Sequence, residues 1–318
     1  MATTQDAVSL PVSTASTPTK TWTLRQQQRT WGWIFLSPWI IGFLAFTLFP
    51  MIASLVFSFT NFQIGEPIAW VGLDNWGRLF TDQNTSQSLL VTFRFALIST
   101  PIAVGLPLLM ATLLNSKVLW GKPLLRVLFY LPYMVPAVSS IFIWQSFLNG
   151  QTGWLNRLLR IIGIENPPNW LFDPTTLSWG LVLLGLWGVG NAMLTMLASM
   201  QGVPTELYEA AEVDGASAPV KWLRITLPLI SPVILYNLVL TVIGLMQYFL
   251  PAYVLTNTTR SNPETNFFNL NLYRTAFQFG EMGFASAQAW FIFIIALVLT
   301  VLIFATSNRW VYYAGGER

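Results

Sequence analysis

Four carboxylates, Glu206, Glu209, Glu212 and Asp214, crowd one short stretch of the chain. Carboxylates so spaced could be taken for a metal cluster. On a short exposed helical loop the same spacing makes a solvated or partner-facing surface, and that is the reading adopted. The rest of the inventory is restrictive. With His 0, no His-based triad, HExxH zinc site or imidazole proton relay can exist. With Cys 0, disulfides, thiolate nucleophiles and cysteine-rich metal sites are also excluded. No glycine-rich phosphate loop of the Walker type is present, so the chain is not expected to hydrolyse a nucleotide itself. Catalytic residues, metal ligands and a resident cofactor are therefore not expected. A net charge of +3 is too small to argue for nucleic acid.

What must position these residues is a membrane domain. Hydrophobic residues make up 54% of the chain and charged residues only 9%, well away from a soluble average. Six apolar runs are long enough to cross a bilayer: about 31–59, 95–114, 127–148, 177–200, 229–255 and 285–306. The expected fold class is an all-α membrane protein with six transmembrane helices. No Asp, Glu, Lys or Arg interrupts any of the six interiors. In the sixth, twelve of the residues from Phe291 to Phe304 are Leu, Ile, Val or Phe, worth roughly 4–7 kcal/mol of favourable insertion free energy. Residues 1–30 are rich in Ser, Thr, Pro and Gln and read as a disordered cytoplasmic tail rather than a signal peptide. Residues 31–318 form the membrane domain. Arg94 is expected to snorkel from the second run to the interface, and Trp154, Trp170 and Phe172 to anchor there. Gly185, Gly188 and Gly190 are expected to permit close helix approach.

Orientation follows from the basic residues. A cytoplasmic set gathers Lys20, Arg25, Arg29, Lys117, Lys122, Arg126, Lys221, Arg224, Arg309 and Arg318. Arg78, Arg94, Arg157, Arg160, Arg260 and Arg274 remain outside. The split favours a multi-pass protein of the cell membrane with both termini in the cytoplasm.

The polar residues inside the runs are neutral: Gln145, Asn191, Asn237 and Gln247, with Tyr130, Tyr236 and Tyr248. Amides and aromatic faces suit a passing polyhydroxylated solute. Buried Asn and Gln also join helices to one another, and both roles stay open. Gln247 and Tyr248 are the first candidates for a solute path. An ion-coupled secondary transporter, the alternative reading, ordinarily keeps an intramembrane carboxylate, and none is found. An integral membrane enzyme or assembly factor is a third reading.

Residues 201–228 form the loop between the fourth and fifth runs, and from Pro204 to Pro232 they read as two short helices joined at an elbow. Thr205 is expected to cap the first, with Glu206 and Glu209 near its positive end. Leu207, Ala210 and Ala211 recur at helical spacing as a small apolar face. Asp214-Gly215 stops the helix, since glycine takes the left-handed conformation at little steric cost. Ser217 is expected to cap the second helix, with Pro219 in its first turn. Trp222, Leu223 and Ile225 make that helix apolar, and Pro228 and Pro232 lead into the fifth run.

Glu209-Ala210-Ala211, Asp214-Gly215-Ala216, Trp222, Ile225, Leu227-Pro228 and Pro232 together resemble the EAA loop of ABC-importer permeases. More narrowly, the chain resembles the maltose/glycerol-phosphate type of sugar permease. The segments Trp39–Pro50, Val71–Trp76 and Leu272–Trp290 look like that family as well. The resemblance implies the type I permease fold and a coupling site at Glu206, Glu209, Ala210, Ala211, Asp214, Gly215, Trp222 and Pro228. It places Gln247 and Tyr248 in the fifth-helix segment that faces the translocation path. It also implies a second homologous permease subunit, two ATPase subunits carrying ATP and Mg, an extracytoplasmic solute-binding protein and a sugar-like solute, all around a chain bathed in membrane lipid. One departure is visible. The family often has a Gly-Gly-Pro turn where this chain has Asn257-Thr258-Thr259-Arg260.

Overall fold

The computed structural model describes residues 23–116, 118–258 and 263–313. Most of the expected tail (1–22), Lys117, Thr259, Arg260 and the end of the chain with Arg318 lie outside them. The described residues divide into two units at Ala53 and Ser54. They are almost wholly helical, with one isolated bridge between Thr60 and Trp70.

In the first unit α1 spans Leu24–Phe43, so residues 24–30 are helical rather than tail. The cause is a capping box: Thr23 accepts from the Gln26 amide while the Gln26 side chain accepts from Thr23. A π turn at Leu44–Leu48 follows, and α2 spans Phe49–Phe57. A second π turn lies at Trp222–Thr226. Both have one local cause. Pro50 and Pro228 each sit two residues beyond a π turn, where a proline lacks the donor for the carbonyl four back and collides with it. Widening the turn relieves the collision without breaking the helix.

In the second unit α3 (Asp74–Thr81) is a short amphipathic helix, and α4 (Gln83–Asn115) begins twelve residues ahead of the expected second span. Asp82 caps α4, accepting from the Thr85 amide at 2.7 Å. The remaining helices are α5 (Lys122–Tyr130), α6 (Ala137–Phe147), α7 (Trp154–Ile161), α8 (Leu177–Leu186), α9 (Gly190–Gln201), α10 (Thr205–Val213), α11 (Ala218–Lys221), α12 (Leu227–Met246), α13 (Leu250–Thr258), α14 (Phe268–Phe277) and α15 (Met282–Ser307).

Four helical stretches are long and apolar enough to cross a membrane: Leu24–Phe57, Gln83–Asn115, Ala218–Thr256, which is interrupted at residues 247–249, and Met282–Ser307. The expected third and fourth spans are instead bent pairs. Lys122–Met134 meets Ala137–Phe147 at 103°, and α8 meets α9 at 52°. At the first bend Pro136 pushes Val135 out of helical geometry to ψ 132. At the second, Trp187, Gly188 and Val189 intervene.

Core packing explains the order. The end of α4 packs with α9 and α12 through Ala111, Leu114, Met193, Met196, Met200 and Ile230, all buried. Its middle packs with α6, α8, α13 and α14 around Phe95, Ile141, Leu181, Leu255 and Phe267. Arg94 lies within α4, is exposed and pairs with Glu264, beside a bond from the Phe268 amide to Thr92 Oγ1 at 2.9 Å. Trp170 is less an interface anchor than a staple, donating to the fully buried Asn156 Oδ1 at 2.8 Å.

Of the three glycines expected at close helix contacts, only Gly190 meets another backbone. A Cβ there would lie 2.4 Å from the Phe129 carbonyl oxygen, whereas Gly185 has open space around it. Gly190→Ala must therefore separate α9 from α5, at about 1–3 kcal/mol. Thermal unfolding of the detergent-purified chain should show a clear loss of stability, and Gly185→Ala should show none.

Candidate coupling elbow and solute path

The elbow begins at Val203–Pro204, where α9 has ended. Thr205 is not the cap of α10. It is the first helical residue, and Pro204 holds the cap position without a side-chain bond. Glu206 in the first turn still faces the positive helix end. The stop is as expected and fully formed. Gly215 sits at φ +73, its amide donates to Glu212 O at 3.0 Å, and the Ala216 amide donates to Ala211 O at 2.8 Å. These two bonds are the paired closure of a Schellman motif.

Ser217 occupies the next cap position in extended conformation, although its side chain makes no capping bond. Pro219 lies in the first turn of α11. The second arm is not a separate helix ending before Pro228. It runs on through the π turn into α12, and the helical stretch from Ala218 to Thr256 includes both Pro228 and Pro232. The wide turn ahead of Pro228 is what lets it continue.

Three contacts fix the elbow. The Tyr208 hydroxyl and Thr226 Oγ1 are 2.9 Å apart, tying the first arm to the π turn. Trp222 Nε1 donates to Thr112 Oγ1 at 3.1 Å, tying that turn to the end of α4. Lys221 Nζ donates to Glu212 Oε1 at 2.6 Å, bracing the two arms across the bend. That last pair is largely exposed on the Glu212 side and contributes little stability. Tyr208 and Ile225 also pack against the buried cluster of α4, α9 and α12. Tyr208, Thr226 and Thr112 were not singled out from the sequence. Tyr208 shares a helix face with Ala211 by spacing, which is the signal that could have found it.

With that face anchored, the opposite one is free. Glu206, Glu209, Ala210, Asp214 and Gly215 are exposed, and Ala211 is half-buried. Leu207 (43% exposed), Val213 (89%) and Leu223 (56%) add apolar surface among the carboxylates. The carboxylates do not converge on a metal site, and Glu212 is committed to Lys221.

The five path candidates fall apart in space and role. Asn237 is buried and donates to Val233 O at 2.8 Å and towards Thr195 Oγ1 at 3.4 Å, so it joins α12 to α9. Gln145 is half-buried in α6, and Asn191 is exposed in the first turn of α9. Gln247 is exposed at the break between α12 and α13 and lines an open cavity of about 360 Å³ between that break, α14 and α15. Tyr248 turns the other way, its ring 4.7 Å from Phe95 and 4.8 Å from Phe267. Its buried hydroxyl makes no hydrogen bond.

Comparisons with known proteins agree with this architecture. Residues 103–313 match the family described as binding-protein-dependent transport system inner membrane component. The probable ABC transporter permease protein YesP of Bacillus subtilis is 38% identical over 288 residues, covering 90% of this chain and 93% of that protein. The arabinooligosaccharides transport system permease protein AraP of the same organism is 31% identical, covering 87% and 88%. The trehalose/maltose transport system permease protein MalF of Thermococcus litoralis is 30% identical, covering 88% and 94%. Among solved structures, a bacterial ABC transporter involved in import of the acidic polysaccharide alginate aligns with a TM-score of 0.75 at 25% identity. That alignment covers 90% of this chain and 98% of its own. The chain belongs to the family of inner-membrane permease components of binding-protein-dependent transport systems.

The anchoring contacts differ in what their loss leaves behind. Tyr208→Phe strands the buried Thr226 hydroxyl and should cost about 1–3 kcal/mol. Trp222→Phe leaves Thr112 still donating to Leu108 O at 2.8 Å, so it should cost only about 0.5–1.5 kcal/mol. Thermal unfolding of the two variants should rank them in that order.

Proposed function

We propose that the chain is the permease subunit of an ATP-driven importer of sugars, oligosaccharides or related polyols and glycerol phosphates included. It forms part of the translocation path and couples to the ATPase through the elbow at 201–228. The observation that carries the coupling role is a mixed acidic and apolar surface of α10, exposed on a base pinned to the membrane core by Tyr208 and Trp222. A surface so held transmits force instead of yielding. The family and the sugar permeases among the relatives support the solute class.

In this reading two ATPase subunits, with ATP and Mg between them, receive the elbows of this chain and of a second homologous permease. Both termini lie in the cytoplasm, and an extracytoplasmic binding protein delivers the solute on the other side. Glu206, Glu209 and Asp214 meet the ATPase, with Ala210 and Ala211 packing closely and Gly215, Trp222 and Pro228 fixing the shape. The helix from Ala218 to Met246 links the elbow to the break at Gln247, a rod of about 40 Å at helical rise. Closure of the ATPases moves the elbow, the rod moves with it, and the break beside the cavity is where the motion reaches the solute.

Affinity purification of the tagged chain from mild detergent should recover an ATPase and a second permease. A lone chain that transports in vesicles without ATP would sink the reading in favour of ion coupling. No atom lies within 4 Å of a Cβ built on Gly215, so its constraint is the positive φ alone. Gly215→Val should accordingly abolish uptake while insertion and expression stay normal, because a β-branched residue resists that conformation. Gln247→Leu should change the apparent affinity or rate of uptake without loss of assembly. Unchanged transport would return Gln247 to packing.

A further inference from the structure

The two arms of the third apolar run, Lys122–Met134 and Ala137–Phe147, meet at 103°. Helices so bent cannot both stand at the tilt of about 20° that is usual for a spanning helix. One arm therefore lies nearer the membrane plane, and charge tells which. α6 has no charged residue, whereas α5 carries Lys122 and Arg126. Four positions apart, these two share one face of α5. Leu124, Val127 and Leu128, all exposed, take the opposite face. That division suits a helix lying in the interface, with its apolar side in the acyl chains and its basic side among the headgroups.

The loop ahead of α5 extends the pattern. Val118 and Trp120 are each 94% exposed, while Leu119 between them packs with Leu125 into the cluster that also holds Tyr208 and Ile225 of the elbow. The basic face thus lies on the elbow's side of the membrane. An exposed Trp at that level is an interface anchor, its ring among acyl chains and its N–H among headgroups. Among the described residues neither Lys122 nor Arg126 enters an ion pair. Arg126 is half-buried, and its Nε is sealed from solvent without a hydrogen-bond partner. The guanidinium charge is partly desolvated with nothing opposite to offset it, and an anion at its terminal nitrogens would relieve that cost.

We propose that Lys122 and Arg126, with Trp120 beside them, bind the phosphate of an anionic phospholipid in the leaflet on the elbow's side. Charge selects the headgroup, and the apolar surface around it selects a lipid. A free phosphate gains nothing from Trp120 or Leu124. The apolar face of α5 also runs on through Leu131 and Met134, both exposed, towards α6, so acyl chains cover it more readily than a water-soluble partner. Anionic lipid is concentrated in the cytoplasmic leaflet, which is the side the importer reading gives the elbow. The proposal takes nothing else from that reading. Through Leu119 and Leu125 the lipid site shares its footing with the elbow.

The test uses the chain with its co-purifying partners in nanodiscs of equal phosphatidylglycerol and phosphatidylcholine. The two leaflets are alike, so the outcome does not depend on which way the elbow faces, and the importer reading stands or falls separately on the recovery of an ATPase. A benzophenone side chain is placed at Val118, and its photoproducts are identified by mass. Phosphatidylglycerol adducts should exceed phosphatidylcholine adducts several-fold, a comparison that needs no change to either cation. Lys122→Ala and Arg126→Ala should each reduce that preference about fivefold, the share of one basic residue at an anionic surface. Arg126→Lys should keep most of it, and Arg309→Ala all of it.

Four results would overturn the site. Equal adducts from the two lipids would mean that the headgroup is not read. An adduct to an ATPase or a second permease in place of lipid would mean that a protein covers this face. Loss of the preference under saturating inorganic phosphate would make free phosphate the ligand. An equal loss in Arg309→Ala would reduce the effect to the general positive charge of that surface.

Discussion

Everything in this fold answers to one constraint: inside a bilayer no water is available to satisfy a backbone N–H or C=O. A helix may stop at membrane depth only if the freed groups find partners in the protein. The three interruptions in the apolar runs obey this by tightening locally. Val135 N donates to Pro132 O, Gly188 N to Gly185 O, and Tyr248 N to Leu245 O, all at 3.1–3.3 Å. Each break is thus a short turn rather than an open loop. Two of the three adjoin polar or small residues with side-chain freedom, Asn191 after one and Gln247 within another.

The same constraint explains why the elbow and the cavity beside Gln247 are built so differently. The elbow, expected to face water, uses side-chain capping positions, a glycine stop and an exposed ion pair, and tolerates charge on its surface. The cavity uses aromatic rings and two amides and tolerates no charge in its lining. One continuous helix joins them, and its prolines are absorbed instead of breaking it. A rigid connection between the two ends is what the proposed coupling of ATPase to solute would use.

Much of this was legible in the residues. All six apolar runs correspond to helical segments, whether continuous, bent or interrupted, the glycine stop at Gly215 formed as its left-handed preference requires, and the elbow pattern led to the correct family. What escaped the sequence was where proline bends a helix. Pro38, Pro101, Pro107 and Pro232 all lie inside helices, whereas Pro136 ends one. Contacts between residues distant in sequence are invisible to local pattern as well. The Trp222–Thr112 bond joins residues 110 apart, and Arg94 found Glu264 across 170. Asn237 was open between solute and helix contact until its bonds to Val233 and Thr195 favoured the latter.

The π turn at Trp222–Thr226 carries a consequence for how such chains diverge. An α-helix advances about 100° per residue, and a wide turn stores one residue more than that winding would use. Removing that stored residue would restore ordinary winding and leave the elbow facing much as it does, whereas removing one from the regular helix beyond it, Leu227–Met246, would turn the elbow by about 100° about the axis of α12. The direction in which the elbow points is thus buffered against a change of one residue inside the wide turn and exposed to one anywhere else along the rod.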